Sequence, residues 1–261
     1  MDKMIRCLWP CLFLFVTACG NDCKHEILPC HKSIILLDKS ISVNGQDARM
    51  AAGLEAALNP FLESVISNPG DMVEAHLIHG QSIGAKMLFQ KTWLEQPPCE
   101  AEMGPDSYKQ EKEAYQLRLK KYRSAILNDL LDCMHHKINE SVVHETDILG
   151  TLEIISEFFS DKNASAPSTV LYISDMVHSQ KAPRDYFKSP PKDRTESEAC
   201  AKLDLAWLKT NRKVNSSKFD NLDIKVWFAG IDYAKTQNEQ MQYYWSALFN
   251  DLNKSIKVTF Q

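Results

Sequence analysis

Short apolar runs alternate along the chain with longer stretches in which apolar residues recur every three or four positions. The first run, Ile34–Leu37, has four consecutive apolar residues, which is typical of a strand covered on both faces. A helical stripe over 45–66 follows it. Two strand-like runs then come at 72–78 and 85–93, and the polar residues 79–82 between them predict a hairpin turn.

The rest of the chain continues this alternation. Apolar residues at steps of three and four over 106–138 predict one long amphipathic helix. The patterns that follow predict, in order, helix 147–159, strand 170–174, helix 196–210, strand 224–231, helix 235–253 and strand 256–260. Strands that alternate with helices predict a doubly wound α/β fold with a mostly parallel central sheet.

Oxygen-bearing side chains follow the first strand directly. Asp38, Ser40 and Ser42 occupy every second position, so an extended or tightly turning backbone would aim their oxygens at one point. The carboxyl edge of the strands is where open α/β sheets bind ligands. One carboxylate with two hydroxyls suits a hard cation such as Mg²⁺ and leaves it open to a further ligand.

This D-x-S-x-S pattern after an I-I-L-L strand resembles the metal-ion-dependent adhesion site (MIDAS) of the von Willebrand factor type A family. Two later stretches resemble the other parts of that site, in the order the family requires. Residues 146–152, T-D-I-L-G-T-L, resemble its threonine loop, and residues 169–175, T-V-L-Y-I-S-D, resemble its second buried strand and terminal Asp. The resemblance extends from about residue 33 to the C-terminus.

The resemblance implies a sheet with one antiparallel edge strand, with the long helix as an insertion before the threonine loop. It also implies Mg²⁺ or Mn²⁺ at the sheet edge, with an Asp or Glu of a partner protein as the last ligand. Two departures affect the loops: His144 and Glu145 stand where the family often has glycines, and Met176 stands where it usually has one. The implied metal site consists of Asp38, Ser40, Ser42, Thr146 and Asp175.

The first residues are typical of an export signal. Lys3 and Arg6 precede an apolar stretch at 8–16, which is much shorter than the roughly 20 residues of a membrane-spanning helix. The sequence V-T-A-C at its end resembles a bacterial lipobox, which implies cleavage before Cys19 and lipid attachment to that residue. An ordinary cleavable signal with a chance cysteine is the alternative.

The expected organisation is therefore a signal peptide at 1–18, a tether at 19–32 and a von Willebrand factor type A-like domain at 33–261. The expected location is the bacterial cell envelope. Gly20 after the modified cysteine resembles signals sorted to the outer membrane, which would place the domain in the periplasm.

Composition narrows the class of partner. The hydrophobic fraction is 44% and the charged fraction 25%, which are ordinary values for a folded domain. A net charge of −4 and a pI near 6.1 give no field that would attract phosphates. Nucleic acid is therefore not an expected partner.

Cysteines outside the cytoplasm can form disulfides. A Cys99–Cys133 pair is excluded if the predicted helix is continuous, because the helix spans about 40 Å and the seven residues before it reach about 25 Å. In the topology that the resemblance implies, Cys133 and Cys200 lie on the same face near the ligand end, and they are the first expected pair. Cys99 would join Cys30 or Cys23, and a local Cys23–Cys30 bridge is the rival.

We expect a binding protein rather than an enzyme. The alternatives are a metal-dependent phosphohydrolase, for which Lys39 and Arg184 are candidate phosphate ligands, and a structural module with an empty site. A zinc cluster is disfavoured because adjacent histidines cannot share one helical face. The histidines in question are His135, His136, His144 and His178.

Overall fold

The computed structural model describes residues 29–38, 48–78, 87–135, 145–160, 166–228 and 235–261. The predicted signal peptide, Cys19 and most of the tether lie outside these ranges. Two short 3₁₀ turns, Glu100–Glu102 and Ser216–Phe219, accompany the main elements. Those elements are β1 (Lys32–Asp38), α1 (Ala48–Val65), β2 (Met72–Ile78), β3 (Met87–Thr92), α2 (Pro105–His135), α3 (Thr151–Phe158), β4 (Ser168–Ser174), α4 (Arg194–Asn211), β5 (Leu222–Phe228), α5 (Lys235–Leu252) and β6 (Lys257–Phe260).

The described strands form one sheet in the order β3-β2-β1-β4-β5-β6. β2 and β3 pair antiparallel, whereas every other neighbouring pair is parallel. The predicted doubly wound, mostly parallel sheet with an antiparallel edge strand is therefore confirmed. The winding direction reverses between β1 and β4, which is the position where such sheets bind ligands.

Both faces of the sheet are covered, as the apolar run in β1 requires. Ile35 and Leu37 point into a core formed with α1 and α2. Ile34 and Leu36 point into the opposite core, which contains α3, α4 and α5. All four side chains are fully buried, and each such burial is worth about 1.5–3 kcal/mol. The four central positions of β1 therefore stabilise both layers at once.

Helix α2 confirms the predicted long helix up to residue 135, beyond which residues 136–138 lie outside the described ranges. Its first buried residue is Tyr115, whose hydroxyl accepts a hydrogen bond from Trp93 Nε1 at 3.1 Å. The Arg123 guanidinium donates two hydrogen bonds, of 2.8 and 2.6 Å, to the Ile66 carbonyl just beyond α1. These two hydrogen bonds connect α2 to the C-terminal end of α1. Of the described helices, none has both the length and the apolar composition to cross a bilayer.

Helix α3 begins four residues later than the sequence pattern predicts. Asp147 Oδ1 accepts a hydrogen bond from Gly150 N at 2.8 Å, which closes a turn before the helix starts at Thr151. A Cβ at Gly150 would lie 2.3 Å from Asp147 Oδ2, so this turn requires glycine. The predicted hairpin turn at 79–82 falls outside the described residues, as do the last three residues of the predicted strand 224–231.

The predicted Cys133–Cys200 disulfide is wrong. Neither sulfur belongs to a disulfide. Cys133 lies on α2, which packs with α1 on one face of the sheet, whereas Cys200 lies in the core of the other face. Because a disulfide requires Cα atoms within about 7 Å, two helices separated by the sheet cannot be bridged.

Cys99, which lies between β3 and α2, is disulfide-bonded. The Cys99–Cys30 and Cys23–Cys30 pairings are wrong, because Cys30 carries an exposed thiol that contacts the Pro69 carbonyl at 3.7 Å. Cys23, the other predicted partner of Cys99, lies outside the described residues.

Candidate metal centre

Asp38 is the last residue of β1 and is fully buried. In the pairing of β1 with β4, Leu37 lies opposite Ile173, so the two strands end side by side. The Ser174 hydroxyl donates a 2.7 Å hydrogen bond to Asp38 Oδ2. The carboxylate is therefore fixed at the carboxyl end of β1, beside the winding reversal of the sheet.

Asp175 follows β4 immediately and is also buried. Its Oδ1 accepts a hydrogen bond from Val177 N at 2.9 Å. Between them, Met176 adopts a left-handed conformation with φ 59°. This conformation favours glycine, which is the usual residue of the family there. The chain after β4 thus makes a left-handed turn at a residue other than glycine.

Two hydrogen bonds hold Met176 in this conformation. Its backbone N–H donates to the Ser174 hydroxyl at 2.9 Å. Its carbonyl accepts from Trp245 Nε1 of α5 at 2.9 Å. Ser174 therefore connects Asp38 with the turn that carries Asp175, and α5 supports that turn from behind.

Thr146 lies on the segment before α3 and is buried. Its backbone N–H donates to the Ser179 hydroxyl at 2.6 Å, and Ser179 N donates to the Thr146 carbonyl at 3.0 Å. The threonine loop is thereby joined to the loop that follows Asp175. Among the described residues, none is hydrogen-bonded to the Thr146 hydroxyl, so this oxygen is available as a ligand.

Three of the five predicted ligand residues are described: Asp38 ends β1, Asp175 follows β4, and Thr146 lies on a segment that is hydrogen-bonded to the loop after Asp175. Ser40 and Ser42 fall in the range 39–47, outside the described residues. The described donors are two carboxylates and a hydroxyl, a set of hard oxygen ligands that fits Mg²⁺ or Mn²⁺.

Asp147 is a supporting residue that the sequence patterns did not identify. It is buried within the threonine loop, where Arg212 Nη2 donates to its Oδ2 at 3.2 Å. His178 Nδ1 lies 3.7 Å from its Oδ1. Burial lowers the pKa of His178, whereas the Ala182 carbonyl and Asp147 act in the opposite direction. The sequence feature that could have identified Asp147 is its position directly after Thr146 in the T-D-I-L-G-T-L motif.

The zinc cluster that the sequence disfavours lies mostly outside the described residues. Of its four histidines, only His178 has a described side chain, and that side chain packs on Asp147. Within the described ranges, no three His, Cys, Asp or Glu side chains are arranged to hold a metal. Glu145, which stands where the family often has a glycine, is exposed to solvent.

Comparison with family models gives no match, and a search of curated proteins gives no significant one. Solved structures similar to the chain include von Willebrand factor type A from Catenulispora acidiphila, at 13% identity and TM-score 0.45 over 89% of this chain. Proximal thread matrix protein 1 from the mussel byssus, with a zinc occupied MIDAS motif, gives 14% and 0.40 over 89%. Manganese-loaded Plasmodium vivax TRAP protein gives 12% and 0.37 over 89%.

The chain spans 39%, 44% and 69% of the lengths of these three structures. The fold assignment depends on the sheet itself. β1 and β4 are adjacent at its centre, and β3 is antiparallel at its edge. By this strand order, the chain has a von Willebrand factor type A-like, Rossmann-like α/β fold.

Proposed function

We propose that this chain is a lipid-anchored binding module that holds Mg²⁺ or Mn²⁺ at the carboxyl edge of its sheet and recognises an acidic side chain of a partner protein. The observation that supports this proposal is a set of hydrogen bonds between the segments that carry Asp38, Thr146 and Asp175. Ser174 links the first strand end to the second, and Ser179 links the threonine loop to the loop after Asp175.

The donor set determines what kind of ligand the site takes. Asp38 and Asp175 would hold waters bound to the ion, and the hydroxyls of Thr146, Ser40 and Ser42 would serve as its direct ligands. When bound, the ion supplies an electrophilic centre that takes one further oxygen ligand. Because few of the direct ligands would be anionic, the charge of the ion would stay largely uncompensated, and a carboxylate from a partner would bind strongly.

The surrounding residues keep this arrangement preorganised. The Ser174 hydroxyl donates to Asp38 and accepts from Met176 N, so one side chain orients both strand ends. Arg212 and the backbone N–H of Gly150 donate hydrogen bonds to Asp147, which follows Thr146 in the threonine loop. A ligand site on rigid elements loses less conformational entropy when it binds.

The anchor forms the second part of the proposal. Lipid on Cys19 would attach the chain to the bacterial outer membrane on the periplasmic side, and the tether would carry the domain. The lipobox-like sequence and Gly20 support this location.

No described feature favours the phosphohydrolase alternative. Arg184, its candidate phosphate ligand, donates to Cys200 Sγ at 3.0 Å, and its Nε lies 3.7 Å from Asp204 Oδ1. Its guanidinium is thus engaged on α4. Lys39, the other candidate, lies outside the described residues.

The test is calorimetric titration of the soluble domain with Mg²⁺ and Mn²⁺, followed by capture of partners with and without chelator. Asp38→Asn retains an acceptor for the Ser174 hydroxyl but removes the charge, so metal affinity should fall by about tenfold or more. Asp251→Asn is the matched control, because it makes the same change of carboxylate to amide at an exposed position of α5. Wild-type protein that binds neither ion, with partner capture unaffected by chelator, would refute the proposal and favour a structural module.

A further inference from the structure

The segment 177–194, here called the basic loop, has a charge opposite to that of the whole chain. It contains five basic and two acidic residues, a net charge of +3 in a chain whose net charge is −4. The loop leaves the sheet beside Asp175, at the edge that carries the candidate metal centre. Positive charge is therefore concentrated next to the site proposed to receive a partner's carboxylate.

The loop folds back on itself close to that site. Tyr186 N donates to the His178 carbonyl at 2.8 Å, so the chain returns to its starting point after eight residues. Since an extended residue spans at most about 3.6 Å, the Cα atom of His178 lies within roughly 11 Å of that of Asp175. The outer residues of the loop are thus within reach of a peptide bound at the metal centre.

A buried network keeps the loop in one conformation. Asp204 of α4 is 1% exposed and accepts hydrogen bonds from the hydroxyls of Tyr186 and Tyr244, the latter at 3.0 Å. Arg184 Nε lies 3.7 Å from the other carboxylate oxygen. His178 Nε2 lies 3.1 Å from the Ala182 carbonyl. The inner residues of the loop are therefore anchored, which preorganises its outer residues.

The outer residues present an aromatic ring among cations. Phe187 is 58% exposed, although its neighbour Tyr186 is fully buried. The side chain of Lys188 is 72% exposed, and Lys181 is exposed as well. Lys188 pairs with Asp185 at 3.0 Å, but exposed pairs of this kind contribute only about 0–1 kcal/mol. Both lysines can therefore turn to a partner, and an aromatic residue among them is typical of interface anchors.

We propose that the basic loop is a second contact surface, which selects acidic protein segments that carry an apolar side chain. Phe187 contacts the apolar side chain, while Lys181 and Lys188 attract the flanking carboxylates. This inference rests on the proposed function, since it names the partner class of the same site. A protein segment is favoured over nucleic acid because the proposed contact pairs one exposed phenylalanine with two lysines, whereas affinity for nucleic acid depends on neutralising many phosphates.

The probes are two labelled peptides, one of alternating Glu and Leu and one in which Ser replaces Leu, titrated in Mg²⁺ and followed by fluorescence anisotropy. Lys181→Glu with Lys188→Glu should weaken binding by about tenfold or more, since two favourable contacts become repulsive. Phe187→Ser should abolish the preference for the Leu peptide. Lys254→Glu with Lys257→Glu, the same charge change at exposed positions by the start of β6, is the matched control.

The outcomes separate this inference from the proposed function. If chelator and Asp38→Asn change nothing while the loop variants lose binding, the metal-dependent function fails and the contact surface stands. If binding is metal-dependent but equal in loop and control variants, the inference is wrong. It is also wrong if neither peptide binds, or if duplex DNA or anionic vesicles bind equally well through the same lysines.

Discussion

Met176 places a methionine where the backbone favours glycine, and replacing it tests which of two opposing effects is larger. Its φ of 59° lies in the left-handed region, which costs an L-residue about 1–2 kcal/mol. Its side chain, however, is fully buried in the core formed with α5. Met176→Gly removes the strain and the buried side chain together.

The magnitudes favour the native methionine. Loss of a buried methionine side chain costs about 2–5 kcal/mol, and the greater freedom of glycine in the unfolded chain costs a further 0.5–1 kcal/mol or so. Relief of strain returns only about 1–2 kcal/mol. We therefore expect Met176→Gly to lower the free energy of unfolding by on the order of 2–3 kcal/mol.

Urea unfolding followed by circular dichroism measures this difference. Asn221→Gly is the control within the same chain, because Asn221 has φ 53° but an exposed side chain. Since it loses no buried surface, its stability should change by less than about 1 kcal/mol. If Met176→Gly were at least as stable as the wild type, relief of backbone strain would match or exceed the loss of burial and the reasoning would fail.

Three further predictions concern the anchor, the thiols and a histidine. Cys19→Ala should move the protein out of the membrane fraction; unchanged processing and fractionation would contradict lipidation. A thiol reagent should modify exposed Cys30 well before buried Cys200 in the native protein, as mass mapping would show; simultaneous modification would contradict that burial. Burial, reinforced by Lys225, lowers the pKa of His31 from its ordinary 6.5 although Asp71 opposes the shift, so the fold favours the neutral ring. The stabilisation from the neutral ring is complete above pH 6.5 and is lost as the pH falls through the lowered pKa of the folded state. His31→Gln should therefore flatten the decline in the free energy of unfolding between about pH 7 and 5. An equally steep decline in the variant would assign the pH dependence to other groups.

The sequence predicts the elements of this fold well because each carries a local signal. Four apolar residues at 34–37 identify a strand buried on both faces, and the three-and-four spacing along α2 identifies a long helix. The edge position of Asp38 and Asp175 follows from the strands that precede them. These predictions require only the order of residues along the chain.

Properties that depend on packing could not be predicted in this way. Periodicity indicates that α2 has one apolar face but not which side of the sheet it covers, and for that reason the Cys133–Cys200 pairing was wrong. The delayed start of α3 depends on the Asp147 carboxylate, which is held by Arg212 from a distant segment. Such contacts have no signature in local spacing.

The hydrogen bond between Ser174 and Asp38 joins residues 136 positions apart, and this separation constrains the order of folding. Parallel pairing of β1 with β4 requires closure of the long intervening chain, a slow, non-local event. A nascent or proteolytically clipped chain that ends before β4 contains the D-x-S-x-S sequence but has no fixed carboxylate. Metal binding would therefore report on completion of the central sheet, and a metal-sensitive signal could serve as a kinetic probe of the final folding steps.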